Sequence, residues 1–150
     1  MAKVLTHMTM SLDGYIAQPD DMPAELFDWY GAGDVSVPSA NEGVQFEVDE
    51  ASAQLLRELI ERVGAIVAGR HLFDITDGWG DRHPAGAPPV VVVTHAPPPD
   101  AGRWPRTTFV DGVEAAIATA LEIAGGKDVT IASPTIIQQR STSGSWTRCG

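Results

Sequence analysis

The sequence predicts an α/β sandwich built on a largely parallel sheet. Two observations carry this. Short, nearly all-apolar runs, "GAIVAG" (64–69), "PPVVVVTH" (88–95) and "DVTIA" (128–132), suit strands covered on both faces. Between them lie stretches with helical periodicity, and strands alternating with helices call for parallel pairing through crossovers.

Taken in order, residues 3–10 read as a first strand, with Val4, Thr6, Met8 and Met10 on one face. Residues 18–48 hold Pro19, Pro23, Pro38 and three glycines and read as irregular, with a short helix around "AELFDWY". "DEASAQLLRELIERV" (49–63) is a helix: Asp49 can cap it, Leu55, Leu56, Leu59, Ile60 and Val63 form its apolar stripe, and Glu58 and Arg62 make an i, i+4 pair. "GAIVAG" is a buried strand and "RHLFDI" a short helix. A strand ending at Thr94 follows, then "TTFV" (107–110) as another. "GVEAAIATALEIA" (112–124) is helical, with Val113, Ala116, Ile117, Ala120, Leu121 and Ala124 on one face, and "DVTIA" is the last buried strand.

Composition bounds the function. The 150 residues fit one domain, and 43% hydrophobic content describes a globular chain. No apolar run approaches the ~20 residues of a membrane span. "MAKVLTH" has no signal-peptide pattern and the single Cys149 cannot form an internal disulfide, so a cytoplasmic setting is expected. A net charge of −10 opposes a nucleic-acid partner, which needs a basic face, but not a small anion held by local cations and amides. His7, His71, His83 and His95 are scattered, so no metal is expected. Neither GxGxxG nor a P-loop is present.

In open α/β sheets ligands lie beyond the carboxyl ends of the strands. Three such ends carry candidate chemistry. Gly69-Arg70 combines close backbone approach with a guanidinium that can fork onto phosphate. Thr94-His95 offers a hydroxyl and an imidazole, and Ser133-Pro134-Thr135 places proline at a first helical turn. Trp79, between Gly78 and Gly80, either covers a flat heteroaromatic substrate ring or plugs the rim of the core. Asp13, in "MTMSLDGYIA", is by residue type a turn residue beside Gly14.

"TMSLDGYIA", "GAIVAGRHLFD", "GWGD", "VVVVTH" and "DVTIA…IIQQ", in this order over residues 1–139, resemble the dihydrofolate reductase-like proteins of the riboflavin-biosynthesis reductase type. The resemblance implies a three-layer fold, a homodimer, NADPH along the strand ends, and hydride transfer to a small heterocyclic or ribosylaminopyrimidine-type substrate. It places Asp13 and Gly14 in the active-site loop, with Asp13 orienting substrate and Asp28, on the early helix, as the rival carboxylate. Gly69 and Arg70 would meet the cofactor phosphates, Thr94 and His95 the adenosine 2′-phosphate, and Ser133 and Thr135 the pyrophosphate.

The chain departs from that pattern twice. Ser133-Pro134 stands where the family usually has Gly-Gly, removing one amide donor. After "IIQQ" the chain reads "RSTSGSWTRCG", with no acid among eleven residues, whereas the preceding 139 hold all twenty. This shift predicts an incomplete reductase domain over 1–139 and an atypical, disordered tail over 140–150. A frame-shifted end that lacks the last strands of the sheet would account for it. The alternative function is a catalytically silent remnant, or a nucleotide-binding protein without reductase activity.

Overall fold

The computed structural model describes residues 1–142. Five strands form one sheet in the order β1-β7-β4-β5-β6, every adjacent pair parallel. They are β1 (Val4–Thr6), β4 (Val63–Gly69), β5 (Val90–Val93), β6 (Thr107–Val110) and β7 (Asp128–Ile131). The fold class is the predicted α/β sandwich.

The apolar runs alternate between two cores, which is why they carry no polar face. Ala65 and Val67 of β4, Val91 of β5, and Val129 and Ile131 of β7 join the helices α3 (Val113–Ala124) and α4 (Pro134–Thr142) on one side. Ile66, Ala68, Val90 and Val92 face the other side, against Phe73 of α2 (Arg70–Ile75) and Trp104. Every residue predicted for the apolar face of α3 packs into the first core.

Four expectations need correction. The first strand stops at Thr6 rather than residue 10: β1 is an edge strand, and its ladder ends where Thr6 meets Ile131, so the chain then peels away. The 18–48 stretch is not irregular throughout. Beside the expected short helix, a 3-10 helix at Ala24–Gly31, it holds an antiparallel ribbon of β2 (Val35–Val37) and β3 (Phe46–Val48). Against that ribbon packs α1 (Glu50–Arg62), capped by Asp49, which accepts from the Ser52 amide at 3.0 Å. The α1 stripe is narrower than predicted: Ala53 and Leu56 are buried while Leu55 is 44% exposed, because the ribbon covers less of the helix than a sheet would. Finally, Arg62 does not pair with Glu58. Its guanidinium reaches Asp128 at 2.7 and 3.2 Å, and Glu58 instead accepts from Gln54 at 3.1 Å.

Asp128 also accepts from the Lys3 amide at 2.8 Å, so one buried carboxylate fastens β1 and α1 to the start of β7. Burial pushes its pKa up. The Lys3 amide and the Arg62 guanidinium outweigh that, and the carboxyl sits below its ordinary range.

Of the tail expected over 140–150, α4 continues to Thr142; the rest lies outside the described residues.

Candidate functional site

The chain leaves β4 for α2 and β5 on one face, but reaches β7 through α3 on the other, and β7 then opens α4 on that second face. Strand order therefore reverses between β4 and β7. Two parallel neighbours whose following helices part to opposite faces leave a crevice at their carboxyl ends, the usual ligand position in such sheets.

A groove of about 490 Å³ opens there, within the range of small-molecule sites. It brings together the ends of four strands: Gly69 and Arg70 after β4, Thr94 and His95 after β5, Asp111 and Gly112 after β6, and Ser133 and Thr135 after β7. Six residues singled out from the sequence thus share one surface.

At its centre the Gly69 amide donates to Ser133 Oγ at 2.7 Å, a buried contact. The last backbone rung of this seam is Ala132 N–H to the Val67 carbonyl at 2.9 Å, so the serine hydroxyl adds one further rung after the main chains have begun to separate. A Cβ on Gly69 would come within 3.3 Å of that hydroxyl, which keeps the floor at glycine width. The Ser133 carbonyl accepts from Ile137 as α4 begins, so the earlier amides of Thr135 and Ile136 belong to the helix N-terminus, where backbone donors lack intrahelical partners. Pro134 contributes none.

Each cationic or imidazole side chain of the groove is tied to an acceptor. Arg70 Nε meets the two Asp74 oxygens at 2.8 and 3.0 Å, and its Nη1 donates to the Ala96 carbonyl at 2.9 Å. His95 Nδ1 lies 2.8 Å from Asp111, and His71 Nε2 lies 2.8 Å from Asp21. Thr94 Oγ1 donates to the Ala96 carbonyl at 2.9 Å, closing the turn after β5.

The remaining candidates lie elsewhere. Asp13 and Gly14 form a tight turn beyond the carboxyl end of β1. Ser11 Oγ donates to Asp13 at 2.6 Å, the Gly14 amide donates to the Ser11 carbonyl at 3.0 Å, and Gly14 has a φ of 91°. Asp13 is exposed and outside the groove lining, although the same segment continues to Asp21, which is inside it. Asp28 is exposed on the 3-10 helix at Ala24–Gly31. Trp79 is not at the groove. Asp81, two residues on, accepts from the amide of Arg106 and the hydroxyl of Thr107 at the start of β6, so this loop sits at the amino ends of the strands. There Trp79 packs on the second core and meets His83 edge-on, ring centroids 4.8 Å apart. It plugs the rim of the core.

Sequence reading missed Asp21, His71 and the Asp111-Gly112 pair. The last carried a usable signal, an Asp-Gly between the strand "TTFV" and a helix, which is the same strand-end pattern that singled out the others. Among the described residues no group of three His, Cys, Asp or Glu side chains could hold a metal ion, and no helix is long and apolar enough to cross a membrane.

No protein-family model matches the chain, and no curated protein matches it. Among solved structures it is similar to the "Putative riboflavin biosynthesis protein" from Shewanella sp. PV-4, at 26% identity and a TM-score of 0.59, covering 95% of this chain and 71% of that one. The two share a fold. The likeness supports the mostly parallel α/β fold described above.

Proposed function

We propose that the chain is a reductase that binds a reduced nicotinamide dinucleotide along the carboxyl ends of β4 to β7 and acts on a small heterocyclic or ribosylaminopyrimidine-type substrate. The observation that carries this reading is the convergence of Gly69, Arg70, Thr94, His95, Ser133 and Thr135 on one groove at the switch point of a parallel sheet. The structural neighbour, the "Putative riboflavin biosynthesis protein", supports a role in riboflavin chemistry, and the substrate class is what the sequence resemblance implies.

The residues present fit a dinucleotide. Thr135 and the first amides of α4 suit a pyrophosphate, with the Arg70 guanidinium across the crevice. Gly69 lets the ligand backbone lie close. The resemblance in sequence implies NADPH as the dinucleotide, with Thr94 and His95 at its adenosine end. When bound, the dihydronicotinamide supplies a hydride to an imine-like carbon, and the adjoining nitrogen takes a proton from solvent. Asp13, steadied by Ser11, is proposed to orient the substrate NH or an ordered water, with Asp28 as the rival.

A second reading, a nucleotide-binding protein without reductase activity, is favoured by one observation. Ser133 Oγ takes the Gly69 amide but keeps its own O–H, and Pro134 has no N–H, so the cradle offers one donor fewer than a Gly-Gly turn would leave. Titrating reduced dinucleotide into the purified protein tests the proposal. Saturable binding at micromolar levels, with oxidation of the dinucleotide when a ribosylaminopyrimidine is added, is expected. Binding without oxidation by any pteridine or pyrimidine selects the second reading, and no binding at millimolar levels overturns both.

A further inference from the structure

The end of the groove that the resemblance assigns to adenosine, at Thr94 and His95, carries an unexpected charge balance for a phosphorylated ribose. Among the described side chains that line the groove as a whole, Arg70 bears the one permanent positive charge, and Asp21 and Asp111 bear negative ones. Arg70 spends Nε on Asp74 and Nη1 on the Ala96 carbonyl, so its charge is already partly offset. Beside Thr94, the Asp111 carboxylate holds His95 Nδ1 at 2.8 Å. A carboxylate can only accept, so the proton between them sits on Nδ1 and the free Asp111 oxygen lone pairs remain acceptors. This corner therefore presents a carboxylate, where a 2′-phosphate needs donors and cations. A ribose diol, which donates two hydrogen bonds, matches it, as acidic residues match the ribose hydroxyls in other dinucleotide sites.

We propose that Asp111, at the end of β6, makes this groove select a dinucleotide with free ribose hydroxyls, NADH, and reject the 2′-phosphorylated form. The proposal rests on the dinucleotide reading above and revises which dinucleotide is bound. Beyond matching the diol, the carboxylate acts by repulsion: placing like charges together costs far more than a neutral pair, and selectivity of this kind is commonly built from such a penalty.

Calorimetric titration of the intact chain with NADH and with NADPH, repeated on Asp111→Asn, tests this. Asp111 is exposed, and its side-chain partner His95 is exposed too, so the variant keeps the fold. The wild type is expected to bind NADH at least about tenfold tighter than NADPH. Asp111→Asn should narrow that gap mainly by strengthening NADPH. Tighter binding of NADPH by the wild type, or an unchanged gap in the variant, overturns the proposal and leaves the dinucleotide reading standing. Failure of both dinucleotides to bind overturns the two together.

Discussion

Ser133 Oγ accepts the Gly69 amide proton across 2.7 Å where β4 and β7 diverge, so a side chain completes the seam that the backbone can no longer make. Ser133→Ala would leave that buried N–H without a partner, at a cost of about 1–3 kcal/mol. Denaturant unfolding should show a lower midpoint with an unchanged slope. Hydrogen exchange should quicken at Gly69 first.

Asp128 joins three elements through the Lys3 amide and the Arg62 guanidinium. Asp128→Asn replaces charge-assisted bonds with neutral ones and should cost about 1–2 kcal/mol. Because the folded state holds this carboxyl below its ordinary range, its contribution is present above that range and is lost as pH falls through its folded-state value. A pH series of unfolding midpoints should therefore be flatter on the acid side for the variant.

His83 titrates with the opposite chemistry but the same direction. Burial lowers its pKa from 6.5 to about 4, and its Nδ1 accepts from the Ala85 amide at 3.2 Å. Between those values the unfolded chain binds the proton and the folded one does not, so stability drops as pH falls from 6.5 towards 4. The loss amounts to up to about 3 kcal/mol. His83→Gln should remove this part of the acid sensitivity, read from the same unfolding series.

The strands β4, β5 and β7 were legible because burial on both faces leaves apolar runs that no other element explains, and α3 because its apolar residues recur at helical spacing. The ribbon β2–β3 was not. Its strands are three residues each, and what makes them strands is their packing on Ala53 and Leu56 of α1, a tertiary fact. The site was legible to the extent that strand ends were. Arg70, Thr94 and Ser133 follow from topology, but the pairing of Asp21 with His71 spans fifty residues and leaves no local trace. Of the two readings of Trp79, the rim plug is the one topology already favours, since a loop that follows a crossover helix lies at the amino edge.

Gly33 shows how closely that ribbon is seated. A Cβ there would run into the Val48 carbonyl and the Asp49 amide, while the Gly33 amide donates to the Glu47 carbonyl at 2.8 Å. Gly33→Ala should cost about 1–3 kcal/mol by overpacking, or detach the ribbon. Circular dichroism melting separates it from Gly31→Ala, which meets nothing within 4 Å and should be near neutral.

Amide chemical-shift mapping during titration with a reduced nicotinamide dinucleotide tests most directly whether the four strand ends act as one binding surface. The account predicts saturable shifts concentrated at Gly69, Thr94, Gly112 and Thr135, with the ribbon at 35–48 unmoved. Shifts confined to the ribbon or to the loop around Trp79, or none at any of those four positions, would contradict it.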